Sequence, residues 1–281
     1  MIEFIYGICI FILAIGTFTD FKIREVPDWL NYSGIAAGLG LRLIWSFYSF
    51  DWSFIIEGAI GLGVFSGIAV AMFYLGQWGG GDAKIMMALG ALLGLKFDIS
   101  NIAVAFLVWA VVVGGAYGLV WSVGLALRNW TEFRKKYSEL RVKRNFARAK
   151  MFVVGIAVVA LIASFFISEI YFKLLLVTLA MIVFFTYHMI LFVKSVEFCC
   201  MYKTVSPKEL TEGDWIAKDI NVQGRRICGP KDLGIERKQI NDLIKLKIKK
   251  ILIKVGIPFV PSFLISFILA WVVGNPLGWI I

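Results

Sequence analysis

The sequence predicts an all-α polytopic membrane protein: a bundle of about eight hydrophobic helical segments, one of them short, with a small cytoplasmic α+β insertion before the last span. Three observations predict it. Of 281 residues 60% are hydrophobic and only 17% charged, with a mean hydropathy of +0.83, whereas soluble domains run at about half apolar and about a quarter charged. The apolar residues fall into runs long enough for a bilayer core of about 30 Å, which takes roughly 20 residues of helix. The basic residues are confined to a few stretches between those runs. No two-residue alternation of a β-barrel is visible, and only helices and closed barrels satisfy their backbone in lipid.

The apolar runs are 4–19, 30–50, 54–75, 83–95, 102–127, 151–167, 172–193 and 251–273. The first is preceded by Glu3 rather than a basic region and ends in Gly16-Thr17-Phe18-Thr19-Asp20, so it reads as an uncleaved helix. The second and third carry Arg42 and Glu57, an expected structural ion pair, since a charge inside a span usually faces protein or water. The fourth is the shortest and follows a glycine-rich turn, as a half-span would. Residues 128–150 have helical spacing of Phe133, Tyr137, Leu140 and Phe146 among charges, the pattern of an amphipathic interfacial segment. His188, in the seventh run, reads as a packed core residue. Within 203–250, short strands are expected around a turn at 221–224, then an amphipathic helix over 235–250. Pro258 and Pro261 are expected to kink the last span. The domain reading is a membrane bundle over 1–193, a cytoplasmic insertion over 194–250, and a last transmembrane helix with its tail over 251–281.

Of 29 Lys and Arg residues, 23 lie in 128–150 and 194–254. The positive-inside rule makes both stretches cytoplasmic. Alternating eight spans outward then places 20–29 and 76–84 on the cytoplasmic side, and both termini outside. The net charge of +10 is thereby explained by topology and by anionic lipid headgroups, without a nucleic-acid partner. One histidine and four cysteines, Cys9, Cys199, Cys200 and Cys228, offer no zinc-ligand spacing. No metal or cofactor is expected, and carboxylates are the chemistry this chain can best support.

Two carboxylates meet on one face. Asp20 ends the first span, and Asp82 follows Gly79, Gly80 and Gly81 at the start of the fourth. A pair of carboxylates a few ångströms apart shares one proton, so one acts as base while the other polarises a carbonyl. Glycines beside them let a substrate backbone approach. The plainer alternatives are an interfacial carboxylate for Asp20 and a helix N-cap for Asp82. Lys84 could tune the pair, hold a substrate, or simply snorkel to the interface.

The stretch from Asp20 through Lys22, Pro27 and Asp28 resembles the first aspartate motif of the type IV prepilin peptidases. Gly79–Asp82 followed by Ala83-Lys84 resembles their GxGD motif, shared with presenilin and signal-peptide peptidase. With Glu212-Gly213-Asp214-Trp215 and the stretch from Gly256 to Pro261, the chain is similar to the archaeal prepilin and preflagellin peptidases. The resemblance implies an intramembrane aspartyl endopeptidase with Asp20 and Asp82 as the catalytic pair. Its substrates would be pilin-like or archaellin precursors, cut between a short basic leader and the following apolar helix. The paired Cys-x-x-Cys motifs of many bacterial members are absent, and no methyltransferase activity is expected. The alternative reading is an ion-coupled transporter or channel with carboxylates along a polar path, which predicts internal repeats and several midplane carboxylates; neither is visible.

Overall fold

The computed structural model describes residues 2–222 and 225–279. The eight apolar runs become eight helices: α1 (Ile2–Ile23), α2 (Asp28–Ser49), α3 (Ser53–Tyr74), α4 (Gly80–Leu93), α5 (Ile102–Arg128), α7 (Arg144–Phe166), α8 (Ile170–Val196) and α10 (Val260–Val272). The amphipathic α6 (Trp130–Val142) lies between α5 and α7, and α9 (Arg237–Lys245) lies in the insertion. Among the described residues five helices, α1, α3, α5, α7 and the helix running from Ile170 to Met201, are long and apolar enough to cross a membrane. The chain is a multi-pass membrane protein.

By contact density the chain divides into two compact units. One comprises residues 1–121, 205–251 and 255–281, and the other 122–204 and 252–254.

The core of the first unit is the short helix α4. Ala83, Ile85, Met86, Ala88, Leu89, Gly90, Ala91, Leu92 and Leu93 are all buried in it, so it meets neighbouring helices on nearly every side. Lipid tails are as apolar as leucine, so membrane helices associate by close packing, which favours small residues at their contacts. Gly38 of α2 lies against the α4 backbone so closely that a Cβ there would fall 2.8 Å from the Ala91 carbonyl carbon. Phe65 of α3, Phe106 of α5 and Phe263 of α10 fill the remaining space, each fully buried.

The C-terminal end of α4 stops inside this core and leaves carbonyls without intrahelical donors. Arg42, 6% exposed, meets them. Its Nε and Nη2 donate to the Leu92 carbonyl at 3.1 and 3.0 Å, Nη2 also donates to Leu93, and Nη1 donates to the Phe54 carbonyl at 3.0 Å. Glu57 Oε2 is 3.8 Å from Nη1, so the expected ion pair exists but is secondary to helix capping. The cap requires glycine at 94, where the chain turns with φ +63° and a Cβ would lie 2.5 Å from the guanidinium carbon.

In the second unit, α6 does not lie free: Phe133 packs edge-on against Phe192 of α8 at 5.4 Å. His188 is held among Phe184, Tyr187 and the Tyr137 hydroxyl, as a packed residue should be. Cys199 and Cys200, neighbours in sequence, are bonded to each other.

The insertion has the anticipated mixture of short strands and one helix. Two short strands, Ile220–Val222 and Arg225–Cys228, pair antiparallel, with Val222 opposite Arg225. Gln223 and Gly224 of the expected turn lie outside the described residues. The helix is shorter than 235–250 at both ends: it begins after Glu236, whose backbone N–H is capped by Gln239, and it ends at Lys245.

The last apolar run differs from its expectation. Residues Ile251–Lys254 form a strand, residues 255–259 have no regular secondary structure, and only from Val260 is the chain helical. Pro258 and Pro261 therefore fix where α10 begins rather than kinking a longer helix. Proline pre-sets the backbone for the first helical turn, where its missing N–H would have no intrahelical partner.

Candidate active site

Both aspartates stand at the start of a short helix. Asp82 is the third residue of α4, and its Oδ2 accepts the Gly79 backbone N–H at 3.0 Å, closing the helix end back on itself in capping-box fashion. Asp20 lies in the last turn of α1, 6% exposed, and its Oδ2 accepts the backbone N–H of Val260 at 3.0 Å. Val260 is the first residue of α10, whose opening N–H groups have no carbonyl to bond within the helix. These two short helices, 14 and 13 residues long, thus each present a partly positive end to one carboxylate. The carboxylates lie within electrostatic reach of each other.

The other residues singled out by the sequence divide into two groups. Lys84 and Asp28 form an ion pair, and the Lys84 ammonium also lies 5.7 Å from the Tyr32 ring centre. This ties the start of α2 to the start of α4, bolting the two aspartate motifs together. Pro27 is the N-cap of α2. Gly81 lies against Val26, where a Cβ would be 3.1 Å from the Val26 nitrogen. Gly79 is the N-cap of α4, and Gly80 has open space around it. Lys22, by contrast, lies 5.9 Å from the ring of Phe18, one turn back on its own helix.

Several residues of the site carried little sequence signal. Arg24, with φ +59°, donates to the Gly256 carbonyl and lies 6.0 Å over Trp121. It therefore joins the turn after α1 to the segment that leads into α10. Phe259, Phe263 and Trp78 form an aromatic wall, with Trp78 5.2 Å from Phe263 and 6.1 Å from Phe259. From the insertion, the Trp215 ring covers Gly76 in the turn that leads into α4, 3.0 Å from where a Cβ would stand. Pro261, just inside a helix start, was the available hint that Val260 would have a free N–H.

No cluster of three or more His, Cys, Asp or Glu that could hold a metal occurs among the described residues.

Residues 7–119 match the model of the Type IV leader peptidase family. A 93-residue stretch is 39% identical to the preflagellin peptidase of Methanocaldococcus jannaschii, covering 33% of this chain and 38% of that protein. The match thus spans well under half of either chain. No solved structure matches. Both aspartates, the Gly79–Gly81 turn and the Lys84–Asp28 ion pair fall within the stretch 7–119 that is similar to the Type IV leader peptidase family.

Proposed function

We propose that this protein is an intramembrane aspartyl endopeptidase that removes the short basic leader from pilin-like or archaellin precursors, with Asp20 and Asp82 as its catalytic pair. The observation that carries the reading is the convergence of two carboxylates, 62 positions apart in sequence and both inside the segment matched to the leader peptidases, at the N-terminal ends of two short helices. The name of the similar preflagellin peptidase supports the substrate class. The basic loops support a site at the cytoplasmic face by the positive-inside rule.

Chemically, the ionised member of the pair takes a proton from water as the water oxygen adds to the scissile carbonyl. The protonated member meanwhile hydrogen-bonds to the carbonyl oxygen. Collapse of the tetrahedral intermediate transfers a proton to the peptide nitrogen and breaks the C–N bond. The leader leaves with a new carboxylate and the mature chain with a new amine. Because coupled carboxylates titrate as a unit, the two roles belong to the pair. The Val260 and Gly79 N–H groups keep one oxygen of each carboxylate fixed, so the pair needs little reorganisation as charge moves.

Purified protein in liposomes, given a precursor with a basic leader and an apolar helix, should release the leader. Asp20→Asn and Asp82→Asn should each lower cleavage by on the order of 10³-fold or more. Folded variants of both that cut at the wild-type rate would overturn the reading.

A further inference from the structure

We propose that the phenol hydroxyl of Tyr117 is a third catalytic group of this site, a neutral hydrogen-bond donor to the carbonyl oxygen of the scissile peptide. The inference rests on the peptidase reading above and deepens it, because Tyr117 lies on α5, outside both aspartate motifs.

The ring is fixed from two sides. It stacks on Trp121 with centroids 5.8 Å apart and meets Phe259 edge-on at 6.5 Å. Phe259 is the N-cap of α10, directly before the Val260 N–H that holds Asp20. Gly114, one turn back on α5, makes room for the same phenylalanine, since a Cβ there would stand 2.8 Å from Phe259 Cζ. Tyr117 is thus positioned by the residues that position Asp20, and it lies within electrostatic reach of both Asp20 and Arg24.

What sets the hydroxyl apart is that its oxygen is buried and makes no hydrogen bond among the described residues. Buried tyrosines normally find a partner for the O–H, and leaving a buried polar group orphaned is destabilising. Phenylalanine would make the same ring contacts without that cost. A donor kept unpaired beside a catalytic carboxylate has a use when a peptide carbonyl enters, because the carbonyl oxygen gains negative charge as water adds to its carbon. Fixed donors aimed at that oxygen stabilise the transition state more than the ground state. Tyr117 keeps its own proton throughout, so the atoms and protons balance as in the dyad reaction: C–N breaks, the water oxygen and one hydrogen join the acyl carbon, and the other hydrogen joins the amine.

The test is Tyr117→Phe, reconstituted in liposomes beside wild type, Asp20→Asn and Asp82→Asn, with one precursor. The expected result is a kcat lowered by about 10²- to 10³-fold, with KM within about two-fold, and a melting temperature at or above that of wild type. Higher stability with lower turnover is a pattern that a purely structural tyrosine does not give. A Tyr117→Phe enzyme with the wild-type kcat, or one changed only in KM, overturns the assignment. If the two Asp→Asn variants are inactive in that same experiment, the dyad reading stands without Tyr117. If they cleave like wild type, both fall.

Discussion

The Asp20 carboxylate accepts a hydrogen bond from the backbone N–H of Val260, 240 positions further along the chain. The first helix of the bundle and the last are thereby joined at one oxygen atom, and that bond separates the structural role of Asp20 from its chemical one.

Asparagine at position 20 keeps a carbonyl oxygen for the Val260 N–H, whereas alanine leaves a buried donor without a partner. Asp20→Asn and Asp20→Ala should therefore be equally inactive but unequally stable, with alanine lower by about 1–3 kcal/mol. Thermal unfolding in one detergent, monitored beside cleavage, makes the comparison. Equal stabilities would mean that the Val260 bond contributes nothing to the fold.

Arg42 should be the most costly single charge to remove. Arg42→Met keeps most of the side-chain volume but strips donors from the Leu92 and Phe54 carbonyls in a water-poor core, a loss of about 3 kcal/mol or more. Lysine should recover only part of it, since an ammonium cannot reproduce the planar fork that reaches two neighbouring chain segments. The order wild type, lysine, methionine in resistance to heat or to protease is the expected readout, and a lysine variant as stable as wild type would contradict the capping role.

Two glycines on α2 provide an internal control. Gly38 packs on the α4 backbone, while nothing lies within 4 Å of a Cβ at Gly40. Gly38→Ala should push α2 from α4 at a cost of about 1–3 kcal/mol. Gly40→Ala should be neutral or stabilising by up to about 1 kcal/mol, through helix propensity alone. Similar melting temperatures for the two variants would argue against close helix contact as the constraint.

The ion pair between Lys84 and Asp28 should matter little for stability. Its side chains are 35% and 60% exposed, and such pairs contribute about 0–1 kcal/mol. Lys84→Ala is expected to melt within a few degrees of wild type. A larger loss would mean that the pair does more than tie two turns together.

Much of this architecture was legible in the sequence because lipid makes strong demands on composition. Seven apolar runs became helices and the eighth became one in its second half, since helix is the local way for an apolar backbone to satisfy itself in lipid. The two aspartates stood out because each interrupts an otherwise apolar boundary beside a recognisable motif. What stayed hidden is held by backbone atoms and by shape. The carbonyls capped by Arg42 have no side-chain signature, so its attention seemed directed at Glu57. The late start of α10 lay inside a continuous apolar run, where Ile251–Lys254 reads equally as strand or as helix. Tyr117 is one aromatic among many on a lipid-length helix, and its orphaned hydroxyl becomes visible only when its neighbours are in place.

The hydrogen bond between Asp20 and Val260 also sets an order of events during synthesis. A chain made from its N-terminus inserts α1, with Asp20, long before the ribosome reaches residue 260. Through most of translation the aspartate motifs can both be in the membrane while Asp20 still lacks its donor. The site is completed only when α10 arrives, so a chain interrupted before that helix would carry both aspartates without the finished arrangement around them.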